Sequence, residues 1–312
     1  MMTAPTAERV LDAMPSLGAS YGAVLGRTAR AMVTRERVPT ALPDVTFRVD
    51  GVRPDPERLT AYARLVGESA GDALPAGSVH VLAFPLAMAV MVREDFPLRP
   101  LGLVHVANSI AQLRPVTLAD SLRVRAWAER LEPHRSGTQV DLVAEVSTLD
   151  DGVAWRGRST YLAKGVRLAG LGAPPEAEAP AELVAPAPTG EWRLPADTGR
   201  RYAAVSGDRN PIHTSSLAAR AFGFPRAIAH GMYTAARALA TVGPARGDAF
   251  DWDVEFGSPV LLPGTVSVRV APLAGDQGSG SVASDARAGY GVVGWNARSG
   301  KRHLDVRVTP RR

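Results

Sequence analysis

Asp208 and His213 are the residues of this chain best placed to move a proton between water and a bound molecule. They stand in the segment from Tyr202 to His213, which reads YAAVSGDRNPIH. A carboxylate can bind and orient water, and an imidazole with an unperturbed pKa near ~6.5 exchanges protons at neutral pH. Pro211 lacks an amide hydrogen and pushes Asn210 out of the α region. Gly207 permits a tight bend before Asp208. The segment is therefore read as an irregular, non-helical loop from which both side chains converge on one point. A second piece follows at Ala229-His230-Gly231-Met232. It opens an apolar stretch, Met232 to Val242, that reads as a helix stopped by Gly243-Pro244. The Gly231 amide would then sit at a helix N-terminus, where negative charge is favoured.

An Asp and a His at this spacing are not specific by themselves, because Asp-x-Asn-Pro also favours tight turns. The whole pattern is more specific. Residues Tyr202–Ala219 resemble the hydratase 2 motif of the MaoC-like, (R)-specific enoyl-CoA hydratases: an aromatic, Val205 through Asp208, Asn210 through His213, and the small Ala219. Phe222 to Pro225 and Ile228 to Met232 are also similar to that family, while Arg226 departs from it. The resemblance implies hydration of a trans-2-enoyl thioester to an (R)-3-hydroxyacyl thioester, or the reverse dehydration, with Asp208 and His213 as the catalytic pair. It implies Gly231 as the oxyanion donor, with Asn210 and His230 beside it in the oxyanion and substrate-binding set, where they hold the loop and the helix start, and no cofactor or metal. The fold it implies is α+β, a double hot-dog: two antiparallel sheets, each wrapped around a central helix, with the active site where the halves meet.

Behind these residues the chain has the composition of a globular protein. It holds 312 residues, of which 46% are hydrophobic and 21% charged. The absence of cysteine excludes disulfides, thiolate metal sites and Cys nucleophiles, and fits a reducing, cytoplasmic compartment. The net charge of +5 does not argue for nucleic acid, since the arginines are scattered and Lys164 and Lys301 are the only lysines. The most apolar run, Val79 to Val92, is shorter than the ~20 residues of a membrane span and reads as a buried helix.

The elements read in two rounds. Residues 1–40 form an extension with short amphipathic helices over Ala7 to Met14, N-capped by Thr6, and over Tyr21 to Met32. Val45 to Val49 alternate as a strand, followed by a turn at Asp50-Gly51, and Leu59 to Val66 read as a helix with Pro56 at its first position. Leu122 to Ala128, Val140 to Val146 and Trp155 to Ala163 read as antiparallel strands with one dry and one wet face. Ala169 to Gly190, rich in Ala, Pro, Gly and Glu, reads as a linker. Val266 to Val270, Val292 to Trp295 and Leu304 to Val308 repeat the strand pattern, the last two around a turn at Arg298 to Lys301. Tyr62 to Glu68 line up with Tyr202 to Asp208, Ala83 to Leu86 with Ala229 to Met232, and Arg114 to Leu118 with Ser258 to Leu262. We expect two copies of one fold: a degenerate domain at 41–167, a linker at 168–192 and a catalytic domain at 193–312. In this alignment Phe84-Pro85 replaces His230-Gly231, and nothing in the first copy answers Asn210 to His213.

Three other motifs carry less. Gly289 to Gly294 spells GxGxxG, but a hairpin follows where dinucleotide binding needs a helix. His213 and His230 lack a third ligand for a metal. Gly18 to Gly22 spells Gly-x-Ser-x-Gly, without the strand a nucleophile elbow needs. His80, His105, His134 and His303 are read as surface or packing residues, and Tyr202 as packing. The substrate is expected to be an acyl-CoA or acyl-carrier-protein thioester, with Arg220, Arg226 and Arg237 as phosphate contacts and with neither nucleic acid nor membrane as partner. A monomeric pseudo-dimer, a homodimer and a heteromer all stay open. The competing readings are a catalytically silent acyl-thioester-binding or scaffold subunit, and a thioesterase on the same fold.

Overall fold

A computed structural model of the chain describes residues 5–22, 39–69, 71–149, 151–174, 176, 183–273 and 289–311. Among the described residues eleven strands form one continuous sheet, in the order β1-β2-β4-β5-β6-β3-β8-β11-β10-β9-β7. The first round comprises β1 (Glu8–Val10), α1 (described over residues 17–22), β2 (Thr46–Val52), α2 (Pro56–Val66) and α3 (Ala76–Met91). It continues through β3 (Leu103–Gln112), β4 (Leu122–His134), β5 (Gly137–Thr148) and β6 (Gly152–Lys164). The second comprises β7 (Gly190–Leu194), α4 (Thr198–Ser206), α5 (Pro211–Thr214), α6 (Ser216–Ala221) and α7 (Gly231–Val242). After a 3₁₀ turn at Gly243–Arg246 it ends with β8 (Phe250–Phe256), β9 (Gly264–Pro272), β10 (Tyr290–Trp295) and β11 (Arg302–Pro310).

The two expected sheets are one. Antiparallel pairing of β3 with β8, in register from Ala107↔Glu255 to Gln112↔Phe250, joins the halves. Read outward from that seam, β6, β5, β4 and β2 on one side answer β11, β10, β9 and β7 on the other. The repeat seen in sequence is therefore present in the topology. Helix α3 packs across β4 and β5, and α7 against β11 and β8. Both helices are largely buried, and α3 is apolar all round, with Val79, Leu86 and Val90 fully enclosed.

Several local expectations change. Residues 8–10 are a strand, not a helix: Glu8 to Val10 pair in parallel with Thr46 to Arg48, and Thr6 bonds Asp44 instead of capping a helix. Most of the helix expected over Tyr21 to Met32 lies outside the described residues. Strand β2 passes through Asp50-Gly51 to Val52 with a register shift instead of turning. The linker's last residues belong to β7, which pairs with β9. The wet face of β4–β6 is largely covered, because arginines lie flat over it. Arg125 and Arg156 flank Trp127 at 5.6 and 5.5 Å and both pair with Glu145, while Arg158 reaches Glu129 and Asp141. Gly291 and Gly294 lie in β10, and Ser20 lies in α1, so neither decoy motif has the context its chemistry needs.

The structural repeat also corrects one alignment. Leu74 N–H bonds Val116 C=O just as Ala229 N–H bonds Val260 C=O. Pro75-Ala76 therefore answer His230-Gly231, and Pro85 lies inside α3.

Candidate active site

Asp208 follows the end of α4. Gly207 caps that helix in the left-handed conformation, at φ 78°, and its N–H returns to Ala203 C=O. The Asp208 side chain then bends back to accept Asn210 N–H at 3.1 Å, the turn its residue type favours. Asn210 in turn N-caps α5 through Ile212 N–H at 3.3 Å, with Pro211 at the first helical position. The expectation of a wholly irregular loop fails here: His213 sits in a single helical turn. Pro211 starts that turn because a missing N–H costs nothing at a helix N-terminus. Gly199 lets it approach, since a Cβ there would lie 1.9 Å from His213 C=O.

His213 Nδ1 lies 2.9 Å from Ile228 C=O. A carbonyl only accepts, so Nδ1 carries the proton and Nε2 keeps a lone pair. His230 caps α7, and its Nε2 donates to Asp208 C=O at 3.0 Å, tying the helix start to the acid's backbone. The two imidazoles stack with centroids 3.7 Å apart. Burial lowers the pKa of both: His213 falls below its ordinary 6.5 and His230 to about 3, although Asp208 opposes the shift. Burial pushes Asp208 upward, but His230, His213 and two hydrogen-bond donors outweigh it and hold the carboxyl below its usual range. The resting state is thus a carboxylate beside two neutral imidazoles.

Gly231 opens α7, where its N–H has no carbonyl one turn earlier to bond. A Cβ at Gly231 would meet the Phe256 ring at 3.1 Å, so only glycine leaves this amide open at the cavity wall without displacing the ring. Asp208, His213, Asn210, His230 and Gly231 all line one cavity of about 600 Å³.

One ligand atom each from Asp208, His213 and His230 lies within 4.8 Å of the others, a grouping of three where the sequence offered two histidines. A metal ion needs lone pairs that converge. The two rings lie only 27° from parallel and His230 Nε2 is already bonded, which suits a water between acceptors better than an ion.

The first half supplies the rest of the cavity, and sequence reasoning missed it. His80 from α3 and His105 from β3 are half-buried in its wall beside Tyr161 from β6, and His303 from β11 also lines it. His105 stacks on Tyr161 at 4.7 Å. Phe84, Met88, Met91 and Leu103 add an apolar surface. Tyr21 of α1 lines the cavity too, and its hydroxyl donates to Asp208 Oδ1. No motif marked Tyr21; its Gly-x-Ser-x-Gly surroundings pointed elsewhere. Of the expected phosphate contacts, Arg220 and Arg226 lie exposed outside the cavity and Arg237 packs over Trp192 at 5.1 Å. Among the described residues, Lys164 lines it.

Residues 169–290 match the family described as MaoC like domain. A 3-hydroxyacyl-thioester dehydratase X of Mycobacterium tuberculosis is 42% identical over 231 residues, covering 74% of this chain and 81% of that protein. The chain belongs to the MaoC-like dehydratase family. The crystal structure of HtdX from M. tuberculosis superposes with a TM-score of 0.70 at 37% identity, covering 84% of this chain and 98% of that one. A 3-hydroxybutyryl-CoA dehydratase of Methylorubrum extorquens is 38% identical over 73 residues, 22% of this chain and 46% of that protein. Among the described residues no helix is long and apolar enough to cross a membrane.

Proposed function

We propose that this protein catalyses the reversible hydration of a trans-2-enoyl thioester to the (R)-3-hydroxyacyl thioester, in a double hot-dog with one active site per chain. The observation that carries this reading is the single cavity in which Asp208, His213 and the Gly231 amide meet. The names of the relatives, a 3-hydroxyacyl-thioester dehydratase and a 3-hydroxybutyryl-CoA dehydratase, point to the same reaction. The halves act unequally: residues 41–167 form the cavity's apolar wall, residues 193–312 bring the chemistry, and residues 168–192 link them.

Asp208 Oδ2 and His213 Nε2 are both acceptors. A water that donates one hydrogen to each keeps a lone pair directed at Cβ of the substrate. As the C–O bond forms, the π electrons move onto the thioester oxygen, where the Gly231 N–H and the N-terminus of α7 stabilise the charge. His213, neutral at rest, takes the water's proton; Asp208, with its lowered pKa, holds the water and the imidazolium. The imidazolium then protonates Cα from the same face. Such a positioned acid–base group contributes ~10²–10⁴-fold. His230 and Asn210 fix the geometry. The apolar wall from the first half takes the acyl chain, and Lys164 stands where a phosphate of coenzyme A or of a carrier protein's prosthetic arm would arrive. We place the protein in the cytoplasm, where such thioesters occur.

Loss of the conjugated enoyl absorbance of crotonyl-CoA tests the reading. Wild type consumes the chromophore without releasing free thiol, and His213→Ala loses at least ~10²-fold. Thiol release would make the protein a thioesterase, and an inert wild type would make it a binding subunit.

A further inference from the structure

We propose that Tyr21, carried in by the N-terminal segment, is a positioning residue of the active site: its hydroxyl holds Oδ1 of Asp208 and leaves Oδ2 as the oxygen that meets the reacting water. The proposal rests on the catalytic reading of Asp208 given above. It assigns a role to an extension that the sequence left unexplained.

Helix α1 lies against the end of α4. Leu17 fills the space beside Gly207, where a Cβ would come within 2.7 Å of Leu17 Cδ1, so the helix is seated on the turn that delivers Asp208. Ser20 is buried behind it, with its Oγ bonded to Ser16 C=O at 3.2 Å. This seating aims Tyr21 into the cavity. Its hydroxyl donates to Asp208 Oδ1, which also accepts Asn210 N–H at 3.1 Å. Two donors fill the in-plane lone pairs of one carboxylate oxygen. Oδ2 has His230 Nε2 at 3.7 Å, beyond hydrogen-bond range. The carboxylate is thus held in one orientation, with a single oxygen free for water.

The phenol stays a donor. Burial, and then the neighbouring Asp208 charge, raise the Tyr21 pKa far above that of an ordinary phenol. The groups that act electrostatically on Asp208 come from every side: His213 and His230 from the second half, Tyr202 from α4, and His80, His105 and Tyr161 from the first half. The Tyr21 hydroxyl stands apart from them, because it bonds Oδ1 directly.

Tyr21→Phe in the full chain keeps the ring and removes the donor. A hydrogen bond to a charged group is stronger than one between neutral groups, so kcat for crotonyl-CoA hydration falls about tenfold or more with KM little changed. Losing the donor raises the Asp208 pKa, so the acid limb of the kcat/KM profile moves to higher pH. Carbon-13 NMR of the Asp208 carboxyl reads the same upward shift without turnover. If wild type proves inert on enoyl thioesters, the catalytic reading fails while the NMR shift still tests the contact. A Tyr21→Phe protein with the wild-type kcat, acid limb and carboxyl titration overturns the proposal. So does one that merely melts at lower temperature with the limb unmoved.

Discussion

Glu68 and Asp208 occupy the same place in the two halves and have opposite fates. Each follows a helix ended by a left-handed glycine, Gly67 or Gly207. Tyr62 and Tyr202, one turn earlier in their helices, face each other with rings 6.3 Å apart. Beyond the glycine the halves part. Glu68 is buried in an ion pair with Arg246 at 2.9 Å, and the chain needs only a few residues to reach the bridge between Ala73 and Thr117. Asp208 begins a much longer passage to the equivalent bridge between Ile228 and Leu261, and α5 and α6 lie within it. That passage supplies His213 and the Asn210 cap. The same place in the two halves thus holds an acid paired with arginine in one and an acid beside imidazoles in the other.

The comparison breaks first at the proposed catalytic pair, Asp208 and His213. We expect Asp208→Asn and His213→Ala each to cost at least ~10²-fold in kcat, and the double variant to cost little more than the worse single one, because groups that act on one water act as a unit. Steady-state hydration rates check it; multiplicative losses would separate the two roles. Next comes the helix start. Gly231→Ala forces the Phe256 ring from its place, and we expect kcat to fall about tenfold or more, toward the cost of losing an oxyanion donor. Ala76→Gly at the matching start of α3 should leave kcat unchanged in the same assay.

Smaller effects lie in stability. Glu68→Gln leaves the half-buried Arg246 without its charge partner but with its bonds to the Leu239 and Gly243 carbonyls, and urea unfolding should show a loss of ~1–3 kcal/mol at unaltered kcat. The imidazoles of the cavity wall give a pH dependence. Burial lowers His80 to about 4 and His105 and His230 to about 3. The unfolded chain takes up protons on these groups below ~6.5 while the folded chain does not. Stability therefore falls with pH below that value, each group contributing up to ~1.4 kcal/mol per pH unit until its folded pKa is reached. Melting temperatures from pH 7.5 downward should show the decline, and His105→Gln should flatten it.

Much of this was legible in the sequence where local chemistry dictates local structure. Pro56 and Asp55 start α2, Gly243 stops α7, and alternating valines mark β9. Asp208, Asn210, His213, His230 and Gly231 are legible as candidates, because loop-forming residues and titratable groups stand together in the sequence, and all five line one cavity. What was not legible depends on distant pairing. The seam that makes two sheets one is set by β3 and β8, far apart in the chain. His80 and His105 read as packing residues because nothing local shows that their wall faces the second half's acid. Tyr21 was hidden for the same reason: its partner lies 187 residues on.

One paired measurement tests the inequality of the halves most directly: crotonyl-CoA hydration by Asp208→Asn beside Glu68→Gln, both purified as folded protein. A loss of at least ~10²-fold in the first and a wild-type kcat in the second is the expected result. Equal losses, or a larger loss at Glu68, would contradict it.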